Sequence, residues 1–309
     1  MENKIYDVVI IGAGPAGVSS AIYTVRKGLS VLMIADIVGG QVTTTKDIEN
    51  IIGIPKTTGY DFTLSLEKHL SEYDVDKYFG HMVNKIELDG KYKIIKTDDK
   101  EFRAKSVIIT SGARHKKLGV KGEGEYANKG VHYCATCDGP FYRNLDVVVV
   151  GGGNSGVEAA IDLSNIVKSI TLLEISDSLK ADNILQEKIA NIDKIKVITN
   201  AALNEVKGEQ FVTSIEYKDV KTNTLKTLNT DAVFIEIGVV PNTDSFKDLV
   251  ETNNIGEIKI DKYSRTNVDG IFAAGDVTDA AFKQIVISIG DAAKAALSAF
   301  NYVLNFEDK

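Results

Sequence analysis

The chain has 309 residues, 44% hydrophobic and 26% charged, with a formal net charge of −7 and a pI near 5.3. That is the balance of a globular protein of about two domains, each able to bury a core of its own. An acidic chain without a basic block excludes an electrostatic footprint for nucleic acid or for an anionic membrane.

The first predicted element is residues 6–11, a Val- and Ile-rich run suited to a buried parallel strand. It leads into Gly12-Ala13-Gly14-Pro15-Ala16-Gly17, a G-x-G-x-x-G, and then into a helical stretch with Val18, Ala21, Ile22 and Val25 on one face. A second apolar run, residues 30–34, ends at Asp36, nineteen positions after Gly17. Strand, glycine turn, helix and acid together read as a dinucleotide-binding unit. The first glycine permits the tight turn, the second lets backbone approach a pyrophosphate, the third lets helix and strand pack, and the acid takes ribose hydroxyls. The apolar stretch 6–25 is therefore not a membrane span. No basic region with a small-residue cleavage site marks secretion, so a cytoplasmic protein is expected. The Lys-rich segment 91–105 reads as a solvated hairpin.

The pattern recurs. Residues 146–150 form a second apolar strand before Gly151-Gly152-Gly153-Asn154-Ser155-Gly156, followed by a helix through Val157, Ala160, Ile161 and Leu163. Another strand, residues 169–173, ends at Glu174, eighteen positions after Gly156. Two such units imply two dinucleotides held at once, and the chemistry that needs this is electron transfer from a nicotinamide to a flavin. Near the end, residues 270–276 read as a strand closing on a glycine turn with an acid, Gly275-Asp276, before a helix over about 283–300. Alone, Gly275-Asp276 is equally well a plain turn; with the first unit it fits a carboxylate meeting a flavin's ribityl and pyrophosphate region.

Only two cysteines occur, Cys134 and Cys137. In a cytosolic protein a lone Cys-x-x-Cys is catalytic more readily than structural. Its thiols can be acidified and its small-loop disulfide exchanges readily. Asp138, next in sequence, is placed to give and take the proton of exchange. Half a zinc site from His132, Cys134, Cys137 and Asp138 is the competing reading. Structural zinc wants several thiolates and no further cysteine exists, so no metal is expected. His69, His81 and His115 have no partner motif.

Residues 12–17, Gly39-Gly40-Gln41, Ile48-Glu49-Asn50, 110–113, Cys134-Ala135-Thr136-Cys137-Asp138-Gly139, 151–158, 270–276 and Lys283-Gln284-Ile285 carry a resemblance. On them the chain resembles the low-molecular-weight thioredoxin reductases. More closely it resembles the flavoprotein subunit of alkyl hydroperoxide reductase without its N-terminal extension. The resemblance implies an α/β fold of two Rossmann-like, three-layer ββα dinucleotide-binding domains, the second inserted in the first. An FAD domain would comprise residues 1–113 and 244–309, and an NAD(P) domain carrying the cysteines residues 114–243. It implies FAD contacts at Gly12, Gly14, Pro15, Ala16, Gly17, Asp36, Gly40, Gln41, Asn50, Gly112, Gly275, Asp276, Lys283, Gln284 and Ile285, and dinucleotide contacts at Gly151, Gly153, Asn154, Ser155, Gly156 and Glu174. Cys137 would stand next to the flavin and Cys134 attack the partner, with the inserted domain rotating about the crossings, in a homodimer.

NADPH-dependent relatives carry His-Arg-Arg-x-x-x-Arg after the strand of the second unit; here stands Glu174-Ile175-Ser176-Asp177-Ser178-Leu179-Lys180. Glu174 suits a free ribose 2′-hydroxyl, which favours NADH over NADPH. Relatives with Glu there often carry a fused thioredoxin-like domain ahead of the FAD strand, whereas this chain starts with that strand. The expected electron acceptor is therefore a separate small thioredoxin- or glutaredoxin-like protein, leading on to a peroxiredoxin. Two alternatives stay open: the same disulfide chemistry fed by ferredoxin, and a redox-silent flavin-binding module.

Overall fold

The computed structural model describes residues 4–45 and 48–307. The chain divides into two compact units. One holds the residues up to Arg114 together with those from Val240 onward, the other His115–Val239.

The first unit opens with strand β1 (Ile5–Ala13), helix α1 (Pro15–Val25) and strand β2 (Val31–Val38). β1 is apolar almost throughout because both its faces are covered. Val8 and Ile10 enter one hydrophobic cluster, Val9 and Ile11 another, following the two-residue period of a strand. β2 runs on past Asp36, which is exposed. A short 3₁₀ turn at Gly40–Thr44 follows, then α2 (Gly59–Ser71), whose first turn is capped by the Thr58 hydroxyl accepting the Asp61 N–H at 3.0 Å. Strands β3 (Asp76–Phe79), β4 (Lys85–Asp89), β5 (Tyr92–Lys96) and β6 (Glu101–Ile109) complete this stretch, and β7 (Ala113–His115) leads the chain out.

The second unit contains β8 (Val131–His132), the one-turn helix α3 (Ala135–Asp138), β9 (Asp146–Val150), α4 (Asn154–Ser164) and β10 (Ser169–Leu173). It continues with α5 (Asn183–Ala190), β11 (Ile195–Ile198), β12 (Ala201–Gly208), β13 (Val212–Asp219), β14 (Thr224–Asn229) and β15 (Ala232–Ile235), and leaves through β16 (Val239–Pro241). The main sheet has the order β11-β10-β9-β15-β8 with every pairing parallel. Alternate valines of β9 build the layers. Val147 and Val149 pack with Val157 and Ala160 of α4, while Val148 and Val150 pack with Leu203 and Ile215 of the antiparallel sheet β12-β13-β14. This is the expected ββα layering.

The strands that carry the chain out and back, β7 and β16, pair with each other. Back in the first unit, β17 (Ile271–Ala273) adds in parallel to β6, so the parallel part of that sheet reads β3-β2-β1-β6-β17, with the antiparallel hairpin β4–β5 attached through β6. Helix α6 (Ile285–Leu304) starts two residues later than expected and runs four further. Its buried stripe is small (Ala292, Ala295, Ala296, Ala299), which lets α1 approach closely enough for Ser19 and Ser20 hydroxyls to donate to the Ile289 and Ala292 carbonyls at 2.9 and 3.3 Å.

The Lys-rich hairpin departs from expectation. It is not solvated throughout, because Lys93 is only 2% exposed. Its ammonium donates to the Lys91 and Lys105 carbonyls and to the Tyr302 hydroxyl of α6, so all three donors are satisfied, and burial pulls its pKa down to about 8. Among the described residues no helix is long and apolar enough to cross a membrane.

Candidate active site

In the first unit the glycines of the 12–17 turn divide into two kinds. A Cβ on Gly12 would lie 2.3 Å from the Thr110 carbonyl oxygen, and one on Gly17 would lie 1.9 Å from that of Gly12, so Gly12 is needed for the end of β1 to lie against the residue after β6 and Gly17 for α1 to pack on β1. Gly14 is different. Its Cβ would meet only the Gly39 oxygen at 3.7 Å, and a Cβ on Gly40 would meet only the Gly14 Cα at 3.6 Å. These two glycines leave a side-chain-free channel at the start of α1, whose N-cap is Gly14 and which has no side-chain cap. Pro15 occupies the first turn, where its missing N–H costs nothing, and leaves the following N–H groups facing the channel. A backbone cradle of this kind fits an anionic pyrophosphate.

The C-terminal segment reaches the same place. A Cβ on Gly275 would lie 3.0 Å from the Ala16 Cβ, and Asp276 beside it accepts the Ser288 hydroxyl of α6 at 3.0 Å. Gln284, the N-cap of α6, accepts from the Asn50 amide at 3.2 Å, and Ile285 packs on Val42, Ile48, Ile51 and Phe62. The structure thus draws Gly14, Ala16, Gly40, Asn50, Gly275, Asp276 and Gln284 together, with Gln41 in the 3₁₀ turn after Gly40. Lys283 pairs with Glu257 at 2.9 Å and donates to the Thr278 and Ala280 carbonyls, so its side chain holds the turn before α6. Gly112, at a φ of +68°, accepts the Asn242 N–H at 2.9 Å at the chain crossing.

The second unit repeats the construction. A Cβ on Gly156 would lie 1.9 Å from the Gly151 oxygen, whereas one on Gly153 would meet nothing within 4 Å, and α4 too lacks a side-chain cap. Glu174 lies over this turn, 7% exposed; its carboxylate accepts the Gly152 N–H at 2.6 Å and the Ser176 N–H at 2.7 Å. Asn154 and Asp182 bond reciprocally, at 3.0 and 2.8 Å, tying the segment after β10 to the turn.

Cys134 and Cys137 are joined in a disulfide. Cys134 is the N-cap of α3, its sulfur accepting the Cys137 N–H at 3.2 Å. Asp138 does not stand alone. His132 Nδ1 approaches its carboxylate to 3.1 Å, and His132 Nε2 lies 2.7 Å from the Tyr142 hydroxyl. Burial, with Asp138 and Asp231 nearby, pushes the Tyr142 phenol up to about 12, so it stays protonated. Glu236, just after β15, accepts the Ala135 N–H and the Ser155 hydroxyl, both at 3.1 Å. Burial chiefly, and Asp138 in addition, push its carboxyl up to about 7 against those two donors.

Read from the sequence, His132 figures only as a metal ligand, and Tyr142 and Glu236 not at all. The signal that could have found Glu236 is an acid closing an otherwise apolar run, Ala232-Val233-Phe234-Ile235.

Comparison with known proteins agrees with this architecture. The chain is similar to the F component of alkyl hydroperoxide reductase from Staphylococcus aureus (strain N315), with 50% identity over 305 residues, 98% of this chain. It spans 60% of the length of that relative. Among solved structures it is similar to the thioredoxin reductase from Streptococcus pyogenes MGAS5005, at a TM-score of 0.94 and 39% identity, covering 99% of this chain and 100% of that one. It is also similar to thioredoxin reductase from Giardia duodenalis, at 0.93 and 31%, covering 98% and 100%. The family profile described as pyridine nucleotide-disulphide oxidoreductase matches residues 6–296, and the chain belongs to that family.

Proposed function

We propose that the chain is a flavin-dependent disulfide reductase that passes electrons from NADH to a small thioredoxin- or glutaredoxin-like protein through Cys134 and Cys137. The observation that carries this is the Cys134–Cys137 disulfide at the start of a one-turn helix, beside the Asp138–His132 pair and in the same unit as an uncapped glycine turn. The first unit is the FAD domain and the second the nicotinamide domain. Gly14 and Gly40 leave room for the FAD pyrophosphate, with Asp276 and the Asn50–Gln284 pair at its edge. FAD, when bound, accepts a hydride's two electrons and hands them on to a disulfide.

The chain's own part is exchange. The Cys134 thiolate attacks one sulfur of the partner disulfide; that S–S bond breaks and a mixed disulfide forms, with a thiolate left on the partner. The Cys137 thiol gives its proton to the Asp138 carboxylate and attacks the Cys134 sulfur. The second partner thiolate departs, and the Cys134–Cys137 bond is restored. Glu174, offering a carboxylate where a 2′-phosphate would lie, favours NADH over NADPH.

A second reading has an observation in its favour: two carboxyl groups, Glu174 and Glu236, stand at the glycine turn, a setting less suited to phosphates, as expected of an enzyme fed by reduced ferredoxin. Anaerobic titration of the flavin-loaded protein decides between them. Bleaching of flavin absorbance by NADH with turnover of a protein disulfide is the expected result. Bleaching by reduced ferredoxin alone selects the second reading, and the absence of disulfide turnover with every donor overturns both.

A further inference from the structure

Glu236 terminates the central part of the second unit's sheet, where the four residues before it are all buried. Its carboxyl bridges two elements. One oxygen holds the Ala135 N–H, next to Cys134, and the other holds Ser155, the second residue of α4. Its main chain closes the glycine turn as well, since a Cβ on Gly151 would lie 2.4 Å from the Glu236 carbonyl oxygen.

We propose that Glu236 is a positioning residue that links dinucleotide binding to the redox helix, taking up a proton when a pyrophosphate settles on the α4 turn. The inference rests on the nicotinamide reading of that turn given above. A pyrophosphate on the first-turn N–H groups of α4 shares its site with Ser155, whose hydroxyl is 3.1 Å from the Glu236 carboxyl. An ionised carboxylate there opposes the ligand and a neutral carboxyl does not. The groups facing Glu236 are the Ala135 N–H and the Asp138 charge from α3, the Ser155 hydroxyl from α4, and Gly151, which brings no side chain, from the end of β9. His132, on β8, lies 3.1 Å from the Asp138 carboxylate. Burial chiefly pushes the Glu236 carboxyl up to about 7, so it exchanges a proton near neutral pH. The same event reaches α3, because a neutral carboxyl holds the Ala135 N–H less tightly than a carboxylate does.

The test is calorimetric binding of tetrahydro-NAD, an analogue that cannot give hydride, to the FAD-loaded protein between about pH 6 and 8, in buffers of different ionisation enthalpy. The wild-type dissociation constant is expected to rise by up to about tenfold over that range, with uptake of about half a proton near pH 7. Glu236→Gln keeps an acceptor for Ala135 and a donor toward Ser155. It should bind as well as wild type at the acid end, without proton uptake and without pH dependence. Glu236→Ala, which abandons both neighbours, should bind more weakly at every pH. Wild-type binding that does not vary with pH, or an unchanged slope in Glu236→Gln, overturns this proposal alone. Absence of binding by wild type at every pH overturns it together with the nicotinamide reading.

Discussion

Changing Glu174 to Gln tests the basis of nucleotide choice. Glu174 is 7% exposed and its carboxylate is pinned by backbone N–H groups at 2.6 and 2.7 Å, so it cannot swing aside as a free surface acid would. A 2′-phosphate about 4 Å away would meet a repulsion of roughly 4 kcal/mol per charge pair at an effective dielectric near 20. The two N–H groups and solvent offset part of it. What remains is about 1.5–3 kcal/mol, on the order of 10- to 100-fold in favour of NADH. Glu174→Gln removes the charge and keeps the shape, but its amide oxygen must serve where two oxygens served before, which costs about 1 kcal/mol. NADH should therefore lose a few-fold while the NADH/NADPH ratio falls toward unity. Combining Glu174→His, Ile175→Arg and Ser176→Arg, which supplies phosphate donors, should narrow or invert that ratio. The assay is anaerobic rapid mixing with the flavin absorbance as readout. Equal rates of wild-type reduction by NADH and NADPH would refute the reasoning.

The remaining predictions concern the cradle, the cysteines and Lys93. Gly14→Val should fold but purify without flavin, whereas Gly17→Ala, whose Cβ would lie 1.9 Å from the Gly12 oxygen, should lower the melting temperature; a yellow Gly14→Val protein sinks the cradle assignment. Cys134→Ser should leave a Cys137 thiolate that gives a long-wavelength charge-transfer band with the flavin, and Cys137→Ser should not; full disulfide turnover in the double Ser variant would contradict the mechanism. Lys93 holds its proton less tightly folded, near 8, than unfolded, near 10.5, so the unfolded state binds more protons between those values. Across that window wild type should therefore gain stability with rising pH relative to Lys93→Met, and parallel denaturation curves for the two proteins would show the account to be wrong.

Legibility in the sequence follows the range over which each signal acts. β9 and β10 occupy the expected residues, 146–150 and 169–173, because a short apolar run stops at a glycine turn or an acid. The local pattern ends β2 near Asp36. The strand reaches Val38 because Val38 pairs across to Ala13 of β1, a register shift that no local pattern announces. Lys93 reads as solvated from its own chemistry. It is buried because Tyr302, 209 positions away, comes to meet it. Glu236 and Ala135 are 101 positions apart, as Asn50 and Gln284 are 234 apart. The glycine turns are legible because their geometry is local, whereas polar networks become visible only once the chain has closed on itself.

The pairing of β7 with β16 has a consequence for how such a chain can be edited. Where the chain leaves one sheet and where it returns are neighbouring strands, roughly 5 Å apart, so residues 115–239 form a cassette whose entrance and exit coincide. Such a cassette can be spliced out and the cut ends joined by a two-residue hairpin turn, without asking any strand of the host sheet to find a new neighbour. The host then keeps the order β3-β2-β1-β6-β17 and its α1–α6 contact from sequence that the splice never touches.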